Sequence, residues 1–441
     1  MTQNDSFIQK LENRLRQINF HKQVSLKCDT DHATIKSHDD AISILNKILN
    51  VGPLIRGSNN YLIHFHRIID QLLSYFPYHT EINFNFINDK NKTTIKKNIE
   101  LQYDNILKQV KILEFSFSFF NKLGFFKHNI VVVGANGSGK TTLSNELKKY
   151  LPKSGVVISA QKFLIIPTFD SISNIAKTQD DLKSIQSTDK TLKATYSTGS
   201  SGSAYSILNK VGCEFEVLLS NMLAERNSER NKFCNECSNG DDKSEVPFTK
   251  LDKALLIWNS LIQHRLLECN DGINITLSYN NIKPYPAFQM SDGEKAALYY
   301  TMQILLAPDS GFIIIDEPEM YLHKAILTKL WDVLENERRD CIFIYLTHDL
   351  DFATTRLAKK LWIKAFRYPE EWEIEDISSN ELPEELLLEL LGSRKNILFC
   401  EGTKGSIDTR IYNILFPNFT ITPVGSCLSV INYTKAFNKI P

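Results

Sequence analysis

Gly134-Ala135-Asn136-Gly137-Ser138-Gly139-Lys140-Thr141 has the spacing G-x-x-x-x-G-K-[ST], a run whose chemistry is to hold phosphate. The glycines permit a tight loop with backbone N–H groups turned inward on an anion, and a helix starting at its end adds the positive end of its dipole. Lys140 is placed to reach the β- and γ-phosphates of a nucleotide, Thr141 to ligate Mg²⁺, and Thr142 joins the phosphate-binding set. A second reactive group is Phe312-Ile313-Ile314-Ile315-Asp316-Glu317, an apolar run ending in two carboxylates. Ligands of parallel sheets gather at the C-terminal ends of strands. Asp316 there suits a Mg²⁺ shell, and Glu317 suits a base or an orienter for an attacking water.

These residues need a sheet to carry them. Ile130-Val131-Val132-Val133 before the loop reads as a buried strand, and Leu143, Leu147 and Leu151 after it mark one face of a helix. Short β-rich runs then alternate with helices, the sign of a mostly parallel α/β sheet. Phe312 to Ile315 and Cys341 to Leu346 read as strands, and Ala325 to Leu334 as a helix with Ile326, Leu330, Val333 and Leu334 inward. The chain divides into a helical N-terminal region (1–115), a lobe with the phosphate loop (116–169), a mainly helical insertion (170–285), a second lobe (286–378), a linker helix (379–394) and a C-terminal βα unit (395–441). In the N-terminal region, Ala41, Ile42, Ile44, Leu45, Ile48 and Leu49 keep one helical face apolar. Ser197 to Ser203 and Ser238 to Asp242 read as polar loops of the insertion.

The 441 residues carry 51 Lys+Arg against 51 Asp+Glu, so no global charge draws the chain to nucleic acid or a membrane surface. The apolar runs fall far short of the roughly 18–20 residues of a membrane span, and no secretory signal is visible, so a cytoplasmic chain is expected. The cysteines do not resemble a secreted disulfide framework. Cys234-x-x-Cys237 is half of a zinc pattern, with Cys213 and Cys269 as the available completion and reduced loop cysteines as the plainer reading. Phe117, Phe119, Phe120, Phe125 and Phe126 before the loop are candidates for stacking adenine or for core packing.

Two further motifs make the chain resemble an ABC-type P-loop ATPase. Met290-Ser291-Asp292-Gly293-Glu294-Lys295 is similar to that family's Ser-Gly-Gly-Gln signature, and Tyr345-Leu346-Thr347-His348-Asp349 to its switch histidine. Gln161, after Gly155-Val156-Val157-Ile158, falls where the family places a glutamine that contacts Mg²⁺ and water. The resemblance implies ATP with Mg²⁺ and a two-fold dimer in which Ser291 and Gly293 of one subunit close over the γ-phosphate held by Gly134 to Thr141 of the other. Asp292 and Glu294 depart from the transporter consensus, as in the chromosome-maintenance and DNA-repair branch.

Glu317-Pro318-Glu319-Met320-Tyr321-Leu322-His323 resembles the Glu-Pro-Glu-x-x-Leu-His run of ATPases of bacterial phage-defence systems, which partner Toprim-type nucleases. Asn396 to Gly402 resembles the start of a Toprim domain, as in PARIS-type and overcoming-lysogenization-type systems, and makes Glu401 a candidate acid or base. Residues 396–441 are less than a domain of roughly 100 residues, so a truncated or docking unit is expected, without nuclease activity from this chain alone. The resemblance therefore implies an ATPase that controls a nuclease effector. Its rivals are a repair or chromosome-maintenance ATPase acting directly on DNA and, third, a transporter subunit. Direct DNA work would favour sustained heptads in the insertion and a basic stripe, whereas Gly, Ser and Asp clusters interrupt the insertion, and Lys359-Lys360 and Arg338-Arg339 are isolated pairs.

Overall fold

The computed structural model describes residues 3–55, 58–77, 87–135, 137–151, 154–160, 164–187, 214–238, 245–279, 284–367, 371–376, 396–403 and 405–437. In chain order these form α1 (Gln3–Lys27), α2 (His32–Asn50), α3 (Gly52–Ile55), α4 (Asn59–Ser74), α5 (Lys92–Glu100), α6 (Tyr103–Lys122), β1 (Ile130–Val133), α7 (Lys140–Tyr150) and β2 (Gly155–Ile158). There follow α8 (Ile175–Ser187), α9 (Glu214–Ser238), α10 (Lys250–Leu261), β3 (Leu266–Glu268), β4 (Thr276–Ser278), β5 (Tyr285–Pro286), α11 (Asp292–Leu305), β6 (Phe312–Asp316), α12 (Lys324–Glu337) and β7 (Ile342–Thr347). The last elements are α13 (Leu350–Thr355), β8 (Lys359–Arg367), β9 (Glu371–Asp376), β10 (Asn396–Cys400), α14 (Ile407–Leu415), β11 (Phe419–Pro423) and α15 (Cys427–Phe437).

The central sheet runs β2-β6-β7-β1-β8-β9. Every neighbouring pair is parallel except β8–β9. Because alternate side chains of a strand point to opposite faces, each central strand feeds two cores. Ile130, Val132, Phe312, Ile314, Ile342 and Ile344 meet the N-terminal helices. Val131, Val133, Ile313, Ile315, Phe343 and Tyr345 meet the insertion helices, α11 and α12. Burial on both faces is why β1, β6 and β7 are unbroken apolar runs.

The N-terminal helices share a core with the sheet, and α6 runs continuously to Lys122, through the expected boundary at 115. The insertion contributes α8, α9 and α10, together with a three-stranded antiparallel sheet, β3–β5, that its composition did not announce. Cys234 and Cys237 are exposed near the end of α9 while Cys269 is buried, and Cys213 lies outside the described residues. The polar stretches at 197–203 and, beyond Ser238, at 239–242 lie outside them too, as does the expected linker helix at 379–394.

One helix face needs correction. Leu327, Leu330, Trp331 and Leu334 are the buried residues of α12, with Ile326 and Val333 only packed at its flank. Trp331 sets this rotation, since its ring packs edge-on to Tyr300 at 4.9 Å and Tyr345 at 5.3 Å. The C-terminal unit holds β10 and β11 in parallel, with α14 against β11 and α15 against β10. Ile411 and Leu415 of α14 are exposed.

Phe120 fastens the N-terminal helices to the sheet: it is fully buried, with ring centroids 4.4 Å from Phe312 and 5.2 Å from Tyr61. Phe120→Ala is expected to destabilise the chain by about 3–5 kcal/mol, read by urea unfolding, with the N-terminal region and the sheet lost in one transition. Two separate transitions, with only the first displaced, would show that the shared core does not couple them.

Candidate functional site

The register of three strands brings the reactive residues together. Val133 of β1 pairs with Thr347 of β7, and Asp316 of β6 pairs with Leu346 of β7. Gly134 N–H then donates to Thr347 O at 3.1 Å, and Glu317 N–H to Leu346 O at 2.9 Å. The phosphate loop, the two carboxylates and His348 thus leave one sheet edge within two strand spacings, each about 4.8 Å.

The loop is curled by Gly137 (φ 80°) and Gly139 (φ 86°), both in the left-handed region that disfavours a side chain. A Cβ on Gly139 would also sit 2.7 Å from the Phe366 ring, and one on Gly134 would sit 2.4 Å from Ser138 Oγ. The lysine side chain folds back into the loop, donating from Nζ to Gly134 O at 2.8 Å and Ala135 O at 3.3 Å. Thr141 and Thr142 are exposed on the first turn of α7. Asn136 and Gln161 lie outside the described residues.

The loop rests on residues that the motif reading missed. Trp372 Nε1–H of β9 donates to Gly139 O at 3.1 Å, Phe366 of β8 stacks on Trp372 at 5.0 Å, and Lys122 Nζ donates to Trp372 O at 2.7 Å. Of the earlier phenylalanines, Phe119, Phe120 and Phe125 are buried in the core, and Phe117 and Phe126 pack partly against it. Alternating apolar residues in 359–367 do mark a strand, but no local pattern says that its hairpin closes on a loop so far back in the sequence.

At the acidic edge, Asp316 is fully buried. Glu317 takes φ 53°, an uncommon conformation for a residue with a side chain and costing about 1–2 kcal/mol. The sharp turn sends its carboxylate toward the lysine, with Lys140 Nζ 3.6 Å from Oε1, while His348 Nδ1–H donates to Oε2 at 2.5 Å. Glu319 returns beside them, where Thr347 Oγ1–H donates to its Oε1 at 2.8 Å and His348 Nδ1 stands 3.4 Å away.

Burial alone would raise the Glu317 pKa, but the Glu319 carboxyl, Lys140 and His348 outweigh it and hold the group below its ordinary value. For Glu319, burial and then the Glu317 carboxyl push the pKa up to about 8. The opposite shifts favour a proton on Glu319 over one on Glu317. Glu317, Glu319 and His348 form the one three-residue group of metal-ligand type found among the described residues. With imidazole in the set and Lys140 beside Glu317, it is better suited to hydrogen bonding than to Mg²⁺. The hydroxyl of Thr141 and the carboxylate of Asp316 are the hard oxygen donors that ion takes.

Ser291 caps α11 in a reciprocal box with Glu294: Ser291 N–H and Oγ–H donate to Glu294 Oε2 at 2.8 Å and 2.9 Å. Arg265 adds an ion pair to the same oxygen at 3.2 Å. Glu294 is thus committed to the helix start, while Ser291 remains exposed and Gly293 lies by the backbone of Tyr321, whose O would be 3.1 Å from an added Cβ. Glu401 is exposed at the end of β10, beside the Gly402–Gly425 bridge and remote in sequence from the phosphate loop.

Residues 165–352 match the family model described as "AAA domain, putative AbiEii toxin, Type IV TA system". The match takes in Ser291, Asp316, Glu317 and His348 and begins beyond the phosphate loop. No curated protein matches the chain. Among solved structures, the chain is similar to an Smc head bound to the C-winged helix domain of ScpA, at 14% identity and TM-score 0.32, covering 57% of this chain and 92% of that one. Another is an Smc head domain with a coiled coil and joint derived from Pyrococcus yayanosii, at 13% identity and TM-score 0.26, covering 88% and 65%. The matched stretch is thus similar to an AAA domain, and the mostly parallel α/β sheet is consistent with a P-loop ATPase fold.

Gly139→Ala tests the loop. The methyl group would meet Phe366 and Trp372 at a backbone position that already disfavours it. Affinity for a fluorescent ATP analogue is expected to fall by at least about tenfold with the fold intact by circular dichroism. Unchanged affinity would show that loop shape does not govern nucleotide binding.

Proposed function

We propose that the chain binds Mg²⁺-ATP on Gly134 to Thr142, hydrolyses it with Glu317 as base, and uses nucleotide-dependent dimer closure to control a nuclease effector in anti-phage defence. The observation that carries this reading is the convergence of Lys140, Glu317 and His348 at one sheet edge. A γ-phosphate competes with Glu317 for the Lys140 ammonium, so binding frees Oε1 of Glu317 as it fixes the phosphate. His348 keeps its bond to Oε2 and holds the carboxylate in place. Water attacks the γ-phosphorus, Glu317 accepts its proton, and the bond to the ADP oxygen breaks to give ADP and phosphate. Mg²⁺, when bound, would neutralise the phosphate oxygens, with Thr141, Asp316 and Gln161 as the residues to hold it.

The dimer is supported by Ser291, exposed at the N-terminus of an α11 that Glu294 and Arg265 fix from behind. A helix start so held is a rigid donor for a phosphate presented by a second subunit. The effector reading is supported by the matched family, whose description names a toxin of a Type IV TA system, and by the similarity of the Asn396 to Gly402 strand to a Toprim start. Among the described residues the longest helices have 25 residues, which favours a partner protein over a coiled-coil machine working on DNA. No helix among them is long and apolar enough to cross a membrane.

Sedimentation of Glu317→Gln with Mg²⁺-ATP tests the closure. The variant is expected to double in mass with nucleotide, and to lose the shift when Ser291→Arg is added. An unchanged mass, or a dimer insensitive to Ser291→Arg, would contradict the composite site.

A further inference from the structure

We infer that Glu319 is a positioning residue of the hydrolytic site, acting as a neutral carboxylic acid that orients Glu317 and His348 rather than as a second anionic base. The inference rests on the hydrolytic reading above. Its ground is the surroundings of the two Glu319 oxygens. Oε1 accepts from Thr347 Oγ1 at 2.8 Å and lies 3.4 Å from His348 Nδ1. Oε2 is buried and has no hydrogen-bond partner among the described residues.

An ionised Glu319 would leave a charge on that oxygen uncompensated and set a second anion against Glu317, an arrangement of high cost in a buried site. The acid form instead offers an O–H to the Glu317 carboxylate beside it. The groups facing Glu319 enforce this. Glu317 follows β6, His348 follows β7, and Tyr300 stands on α11. Lys140 stands 3.6 Å from Glu317, whose carboxylate has first call on that cation. The raised Glu319 pKa, about 8, agrees with this geometry.

Glu319 thereby leaves Glu317 as the one carboxylate free to take a proton from water, and anchors it through Thr347 to the strand that delivers His348. In Glu319→Gln the amide keeps an acceptor for Thr347 and an N–H for Glu317, so it copies the acid form without its titration. Glu319→Ala removes both contacts.

The experiment is ATP turnover by the full chain from about pH 6.5 to 9.5 for wild type, Glu319→Gln, Glu319→Ala and Glu317→Gln, with thermal unfolding of each. Wild-type kcat is expected to fall on the alkaline side with a midpoint near about pH 8. Glu319→Ala is expected to lower kcat by about tenfold or more with little change in KM, and Glu319→Gln to recover most of that loss and to lack the alkaline fall. A Glu319→Gln as slow as the alanine variant, a retained alkaline fall in it, or an unaffected Glu319→Ala would each overturn the inference. If the alanine variant does not fold, the pH profile of Glu319→Gln decides alone. Wild-type-like turnover by Glu317→Gln would reject the base assignment itself, whereas a slow Glu317→Gln beside an unaffected Glu319→Ala would reject only the role of Glu319.

Discussion

Lys140 is a buried cation, only 4% exposed, and its need for partners organises everything around it. Taking such a charge from water costs several kcal/mol unless it is paired. The partners available are two loop carbonyls, at 2.8 and 3.3 Å, and one carboxylate oxygen, at 3.6 Å. For these to meet, the loop must curl back through Gly137 and Gly139, β6 must end beside β7 and β7 beside β1, and the chain must turn abruptly at Glu317. One ammonium thus ties loop, acidic strand and histidine into a single electrostatic unit. A phosphate that replaces the carboxylate beside that ammonium changes all of them together.

The rest of the molecule makes that meeting reproducible. β1, β6 and β7 are packed into cores on both faces, so a one-residue slip would exchange the side chains that the two cores are fitted around. The β8–β9 hairpin braces the loop from the flank, with Trp372 bonded to the backbone of Gly139. The capping box of Ser291 and Glu294 fixes the start of α11. These supports are hydrogen bonds and packed rings on regular elements, which hold a site more tightly than mobile loops can.

How much of this could be read beforehand follows from range. The loop, the Phe312–Asp316 strand and the parallel arrangement were legible because a fixed spacing and unbroken apolar runs express local geometry. Ser291 to Glu294 was legible as a signature, and the structure shows the same residues capping the start of α11. The inward face of α12 was misjudged because counting apolar residues gave Ile326 and Val333 the same weight as Trp331, whose size decides the rotation. Trp372 and Glu319 escaped for a different reason. The first acts across a distance that periodicity does not span, and the second depends on a left-handed turn at Glu317 that residue type alone would argue against.

The central claim is that Lys140 serves binding and Glu317 serves chemistry at one site. The most direct test is to titrate Mg²⁺-ATP calorimetrically into wild type, Lys140→Ala and Glu317→Gln and to measure phosphate release from the same preparations. The account predicts one nucleotide per chain with turnover in wild type, neither binding nor turnover in Lys140→Ala, and binding with turnover reduced by about a hundredfold or more in Glu317→Gln. Undiminished binding by Lys140→Ala, or wild-type turnover by Glu317→Gln, would contradict it.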